Sequence, residues 1–421
     1  MNKIEKMLKE LCPDGVEWKK LGEVCKSINT GLNPRNNFIL NTHDANCYYL
    51  TVKEITSGKI QFTDKTDKIS IDAVNIIQQR SKLEIDDLLL SGIGTIGKVA
   101  VVDINTDNWN CSESVYLIKP IQNIVYTKFL YYVLQSDIML DLFKNKSVGS
   151  TLKGIRKNDL INFTIPIPPL EVQAEIVKIL DNFSELQAEL QAELQARKKQ
   201  YEYYRDKLLS FDNILKRGGV VKKLGEVSTM IRGSSPRPIH SFLTNDKNGI
   251  PWIKIGDVAT NDKYITNTKE KLTIEGSKKS KIVNIGDFIL SNSMSFGRPY
   301  ILKIKGCIHD GWISISNFEK YLLSDFLYYI LTTTQIQQGF RQSASSGTVQ
   351  NLNIDMVKNV DIPIPPLEVQ EEIVNILDKF ERICNSLTEG LPSEIAARKK
   401  QYEYYRDKLL SFDSPCHSER L

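Results

Sequence analysis

Leu90 to Val99 reads LSGIGTIGKV, and its glycines fit two phosphate-binding patterns at once. Gly92, Gly94 and Gly97 spell G-x-G-x-x-G, while Gly92 with Gly97-Lys98 spells most of a nucleotide-triphosphate loop. Either chemistry needs backbone N–H groups that converge on an anion, with a helix N-terminus behind them. The chain tests the motif on itself, because residues 86–99 (DDLLLSGIGTIGKV) align with residues 286–299 (GDFILSNSMSFGRP). Only Gly97 keeps its glycine there, as Gly297; Asn292 and Met294 replace the other two. The run after Lys98 is Val99-Ala100-Val101-Val102, which reads as a strand, and Val99 cannot supply the magnesium-binding hydroxyl that such a loop places after its lysine. The expectation is a strand, a tight glycine turn and a second strand. Gly97 and Gly297 form the turn, and the turn presents polar side chains.

Other catalytic spacings fail in the same way. Pro13-Asp14 with Glu17 and Lys19 imitates a nuclease site, but carboxylates three residues apart do not converge on one metal. No G-x-S-x-G, no H-E-x-x-H and no Asp/Asn-Pro-Pro-aromatic motif occurs. The seven cysteines are scattered with no C-x-x-C pair, and the four histidines are isolated, so reduced thiols and no zinc site are expected. The chain reads as a protein that catalyses nothing itself.

Composition permits this. The chain has 421 residues, enough for two or three domains, with 41% hydrophobic and 25% charged residues. A net charge of +4 allows a nucleic-acid partner without demanding one. The first residues hold no apolar signal core and no run of 18 apolar residues occurs, so a cytoplasmic location is expected, with no membrane span.

The elements that would position any site are written twice. Ile165 to Gln173, IPIPPLEVQ, recurs letter for letter at Ile362 to Gln370, an offset of 197 residues. Ala196 to Asp212, ARKKQYEYYRDKLLSFD, recurs at Ala397 to Asp413, an offset of 201. Lys20 to Val24 (KLGEV) echoes at Lys223 to Val227. Each copy is thus a variable globular part followed by a near-identical helical part. In the first helical part, Ile176, Ile179, Leu180, Phe183, Leu186, Leu190 and Leu194 recur at gaps of three and four, the mark of an amphipathic helix of about 40 residues. Pro168-Pro169 rigidifies its start, and in the second copy Gly390 and Pro392 interrupt the helix before Ile395. A lone helix cannot bury such a stripe, but two copies can pack as a coiled coil, antiparallel if a pseudo-twofold relates the repeats.

The fold expectation is therefore α+β. Two similar globular domains are each followed by a long helix, and the helices pair antiparallel with pseudo-twofold symmetry. The boundaries read 1–167, 168–215, 216–364 and 365–413, with a tail at 414–421 that has no assigned role. Residues 185–196 spell ELQA three times. Each such unit adds about 6 Å and about 40° of net rotation to a helix, so unit count either sets the spacing of the parts the helices hold apart or is ordinary coiled-coil low complexity.

These motifs together resemble the specificity subunit of type I restriction–modification systems, over nearly the whole chain. The resemblance rests on the duplicated IPIPPLEVQ and ARKKQYEYYRDKLLSF, the KLGEV start of each variable domain, and the LLLSGIGTIGKV turn. It implies two target-recognition domains, each reading half of a split site in double-stranded DNA, on helices that act as a ruler. It also implies two methyltransferase subunits bound to those helices, and restriction/translocase subunits that complete the enzyme. S-adenosylmethionine, ATP and magnesium then belong to those partners and not to this chain.

DNA contacts are expected from loop Lys, Arg, Ser, Thr, Asn and Gln side chains. In the first domain these are Arg35, Asn36, Thr51, Lys53, Ser91, Thr95, Lys98, Thr151 and Lys153. In the second they are Arg232, Ser234, Ser235, Arg237, Lys254, Ser291, Asn292, Ser293, Arg298, Thr348, Gln350 and Asn351. Tyr201, Tyr203 and Tyr204, with their copies Tyr402, Tyr404 and Tyr405, suit a partner interface or packing between helices. The stretch Arg197 to Lys223 holds nine Lys/Arg against three Asp/Glu and either faces phosphate or is a solvated helix face. A coiled-coil scaffold whose globular parts bind proteins is the competing reading.

Overall fold

The computed structural model describes residues 2–35, 37–149, 153–258, 262–292, 297–344, 352–385 and 390–412. The chain divides into two compact units, Met1–Ala188 with Ala397–Leu421, and Glu189–Ala396.

In each unit the globular part is closed at its base by a short antiparallel pair. Glu17–Lys20 pairs with Thr164–Ile167 in the register Glu17↔Ile167, and Val220–Lys223 pairs with Asp361–Ile364 in the register Val220↔Ile364. Pro166 and Pro363 sit in these two-stranded ribbons, where a missing N–H costs no central ladder bond. The KLGEV and IPIPP motifs are thus the two ends of one domain, held side by side where the helix begins.

Above the ribbon, the first domain has a sheet in the order Cys25–Thr30, Val115–Pro120, Leu88–Ser91, Val99–Val101. The second repeats it as Thr229–Arg232, Trp312–Ser316, Phe288–Ser291, Pro299–Leu302, with Tyr264–Ile265 added. The central strands explain their own composition. Leu88 and Leu90 face one core with Phe129 and Val133, while Leu89 faces another with Trp109 and Leu117. Phe288 and Leu290 against Ile289 do the same in the second domain. A strand covered on both faces reads as a continuous apolar run. A second sheet contains one parallel pair in each domain, Cys47–Leu50 with Trp109–Cys111 and Ile250–Ile253 with Gly306–Ile308.

The glycine motif is a hairpin, as expected. Leu88–Ser91 pairs antiparallel with Val99–Val101, and no helix comes directly after it. Gly97 and Gly297 have φ of +89° and +72°, which a side chain rarely adopts, and a Cβ there would press on Leu140 or Phe340 at 2.8 and 2.9 Å.

The first long helix runs unbroken over Leu170–Leu208, 39 residues and roughly 58 Å at 1.5 Å per residue. The second is broken, Leu367–Asn385 and Leu391–Leu410, at the expected Gly390-Pro392 site. Within the first unit, Val172, Ile176 and Leu180 share a core with Leu409 and Leu410 of the chain's last helix. Phe183 stacks on Tyr405 at 5.6 Å, and Tyr402 lies beside Ser184, so the numbering runs in opposite senses along the pair. Within the second unit, Ile373 and Leu377 share a core with Leu209, and Tyr204 stacks on Phe380 at 5.7 Å. These are the same positions of the repeat. Each unit therefore holds a globular domain, the first part of its own helix, and the ARKKQYEYYRDKLL tail of the other repeat.

One side chain fastens domain to helix in each copy. Gln173 is fully buried, accepts from the Tyr126 N–H at 2.9 Å and donates to the carbonyls of Ile124 (2.9 Å) and Pro168 (2.8 Å). Gln370 repeats this with the Leu323 N–H and the carbonyls of Tyr321 and Pro365, all at 2.9 Å. The swapped tails dock by a second duplicated device. Arg406 donates to Asp137 at 2.8 Å while Asp407 accepts from the Asp137 N–H at 3.2 Å, at the start of the helix Asp137–Lys146. Arg205 and Asp206 make the corresponding bonds to Thr334, at 3.4 and 3.2 Å. A carboxylate at a helix N-terminus satisfies an orphan N–H and opposes the helix dipole favourably.

Candidate nucleic-acid interface

A chain of hydrogen bonds gathers several loops onto one rim of each domain. In the first, Gly31 must lie on the link after the strand Trp109–Cys111, since a Cβ there would fall 1.7 Å from the Cys111 carbonyl oxygen. Asn33 donates across this contact to the Glu113 carboxylate. The Gly92 N–H reaches the Ser114 carbonyl at 2.8 Å, and the Gly94 N–H reaches the Lys153 carbonyl at 2.9 Å. The Lys98 ammonium donates to the Val52 carbonyl at 3.0 Å, bringing in the loop that holds Thr51 and Lys53. Arg35, Lys53, Thr95 and Lys153 are exposed on this rim, as a phosphate-facing surface requires.

The second domain builds the same rim. Gly233 lies where a Cβ would meet the His309 carbonyl oxygen at 2.0 Å. Ser235 Oγ donates to Asp310 Oδ1 at 2.6 Å, while Arg232 Nε and Asn292 Nδ2 donate to the Asp310 carbonyl at 3.3 and 3.0 Å. The Asp310 carboxyl is held below its usual range, first by the Ser235 hydroxyl and then by the charges of His309 and Arg232. Arg232 and Arg237 are exposed; Ser234 donates to the Lys279 carbonyl at 3.3 Å. Arg298 lies 5.9 Å from the centroid of the Tyr300 ring, half-buried.

The structure corrects part of the expected contact set. Ser91 and Ser291 are fully buried, and each Oγ accepts the N–H of the residue that closes the hairpin, Lys98 at 2.8 Å or Arg298 at 3.3 Å. Asn292 is buried beneath Asp310. These three shape the turn and do not reach its surface. Thr51 gives its hydroxyl to Glu54 at 2.7 Å and braces its own loop, and Lys254 is paired at 2.6 Å with Glu270 of the strand Glu270–Leu272. Asn36, Thr151, Ser293, Thr348, Gln350 and Asn351 lie outside the described residues.

The tyrosines separate cleanly. Tyr201 and Tyr402 pack against the two domain cores, and burial raises both hydroxyls, that of Tyr402 to about 12. Tyr204 and Tyr405 stack on the facing helix, on Phe380 and Phe183. Tyr203 and Tyr404 stand out furthest, each 60% exposed with a lysine, Lys207 or Lys408, over the ring, while Tyr204 keeps an exposed edge beside its stack on Phe380. Four of the six thus pack against a core or the facing helix. The sequence reading missed Gln173, Gln370, Glu113 and Asp310; the signal available was that each pair is separated by the 197 residues that separate the IPIPPLEVQ motifs.

Among the described residues no helix is long and apolar enough to cross a membrane, and no group of three or more His, Cys, Asp or Glu side chains is arranged to hold a metal ion.

Comparison with known proteins agrees with the duplication. A putative type I restriction enzyme specificity subunit of Haemophilus influenzae is 38% identical over 298 residues, 68% of this chain and 72% of its own. A type I restriction enzyme specificity subunit of Escherichia coli is 31% identical over 436 residues, covering 99% of this chain and 98% of its own. A solved chain described under complex assembly and conformational transition of the type I R-M system has the same fold, with a TM-score of 0.67 at 21% identity, over 94% of this chain and 98% of that one. The scaffold reading is not favoured by any of these. The profile of the type I restriction modification DNA specificity domain matches twice, at residues 13–197 and 217–397, and the chain belongs to that family.

Proposed function

We propose that this chain selects the DNA target of a type I restriction–modification complex by reading a split sequence, one half with each domain. The carrying observation is the contrast between the two copies. The rims share an exposed arginine, Arg35 or Arg237, but differ at Leu32/Ser234, Asn33/Ser235, Lys98/Arg298 and Glu113/Asp310, whereas the fasteners Gln173/Gln370 and Arg205-Asp206/Arg406-Asp407 are the same residues at the same docking positions. Two unlike readers on one repeated scaffold suit an asymmetric bipartite site and a pair of identical partners.

In this reading the exposed Tyr203 and Tyr404 belong to the surface that receives two methyltransferase subunits, and restriction/translocase subunits join them. S-adenosylmethionine, ATP and magnesium act on those subunits, in the cytoplasm, and this chain supplies no catalytic group. Arg35, Lys53, Thr95, Lys153, Arg232 and Arg237 contact the phosphate backbone or the groove edges. The test is single-molecule sequencing of DNA methylation in cells that keep the methyltransferase partner, with and without this chain. A split motif that vanishes with the chain supports the reading; a motif that persists unchanged refutes it.

A further inference from the structure

The rim of each domain carries an acid where a phosphate-binding surface should have none. Glu113 and Asp310 are separated by 197 residues, the offset of the scaffold motifs, and both sit two residues before the strand that forms the middle of the main sheet, Val115–Pro120 or Trp312–Ser316. Each reaches across to the loop that leaves the first strand of that sheet, Glu113 to Asn33 and Asp310 to Ser235. Each crossing is made possible by a glycine two residues earlier in that loop, Gly31 or Gly233, on which a Cβ would collide with the backbone below. The loops also share the next two residues, Pro34-Arg35 and Pro236-Arg237, but differ at Leu32/Ser234 and at the side chain that meets the acid, Asn33 or Ser235.

A carboxylate repels DNA phosphate, and a loop fastener needs no charge. An Asn or Gln would accept the same bond. A fixed anionic acceptor on such a rim suits the exocyclic amino group of a base in the major groove, cytosine N4 above all. At Asp310 the geometry leaves room for that contact. Asp310 is 45% exposed at its side chain, and its side-chain donors among the described residues, Ser235 Oγ and His309 Nε2 (3.2 Å), both meet Oδ1. The carbonyl of the same residue takes the bonds from Arg232 and Asn292, which fix the backbone from beneath.

We propose that Glu113 and Asp310 are specificity-determining residues, each accepting a hydrogen bond from the amino group of one base in its own half-site while its loop partner holds the carboxylate in place. The inference rests on the DNA-reading function stated above. Domain identity decides the reach: Glu113 has one methylene more than Asp310, and the two half-sites are read at different depths.

The experiment uses the full chain in its methyltransferase complex, carrying Asp310→Asn or Glu113→Gln. Binding is measured at fixed salt to a panel of duplexes in which each position of the methylated motif is changed in turn. For Asp310→Asn, the expected result is at least about a tenfold loss on the native duplex and none on duplexes already changed at one position of one half-site. Discrimination in the other half-site stays intact, and Glu113→Gln gives the converse. Ser235→Ala, which keeps the carboxylate, weakens binding but leaves the preferred base unchanged. Equal losses on every duplex, or discrimination identical to the unsubstituted complex, would overturn the proposal. Should the unsubstituted complex show no sequence preference at all, the DNA-reading function itself fails, which is a different result.

Discussion

Gln173 is a polar residue that the fold cannot replace with an apolar one. Its amide closes three backbone groups that the turn into the helix would otherwise leave buried and unpaired, and Gln370 does the same. An unsatisfied buried group costs about 1–3 kcal/mol. Gln173→Leu is therefore expected to destabilise the chain by at least about 2 kcal/mol, read as a lower urea midpoint; an unchanged midpoint would remove the clamp from this account. The tyrosines allow a paired test at the same scale. Tyr203→Ala with Tyr404→Ala should weaken capture of the methyltransferase subunit and change the unfolding free energy by no more than about 0.5 kcal/mol, as for exposed positions. Tyr204→Ala, which loses the stack on Phe380, should lower the midpoint instead.

Among the elements, the long helices carry two kinds of information. Their repeated tails specify docking, through an arginine and an aspartate at a helix start in the opposite domain. Asp407→Asn should loosen the helix Asp137–Lys146 in the first unit, seen as faster amide exchange there, with no change at Thr334–Ala344; equal effects on both would contradict the pairing. The ELQA run is the place to test whether helix length sets a spacing. It lies inside the unbroken helix Leu170–Leu208, so removing residues 189–192 shortens that helix by about 6 Å and turns its C-terminal part by about 40°. The expected outcome is a methylated motif with both halves intact and a changed gap. An unchanged gap would make the run ordinary helix.

At the scale of the whole molecule, a net charge of +4 on 421 residues supplies little overall attraction, so the proposed DNA reading calls for local charge on the two rims. Each phosphate neutralised by a lysine or arginine releases a counterion, so binding should fall steeply and linearly in log–log form as salt rises. Replacing Arg35 or Lys153 should flatten that slope by about one and weaken native and altered sequences alike, in contrast to the carboxylate substitutions. A slope near zero would remove the rims from the DNA.

How much of this was legible before folding depends on where each signal lies in the chain. The duplication, the two domains, the amphipathic helices, the break at Gly390-Pro392 and the hairpin at Gly97 are local or self-referential patterns, and a linear string holds them in full. The site was legible only in outline. Ser91, Ser291 and Asn292 looked like exposed turn residues, yet whether a strand's last residue faces solvent depends on the strands stacked on both its faces. The tyrosines sit within five residues of one another, and only the partner helix decides that Tyr204 and Tyr405 are packed while Tyr203 and Tyr404 are not. Glu113 meets Asn33 across 80 residues and Asp310 meets Ser235 across 75. The sequence alone determined the repeat, its family and its element types, because periodicity and identity act along the chain. Only the tertiary structure decided which tail docks on which domain and which loop side chain meets Glu113 or Asp310, because contacts between distant residues are set by packing.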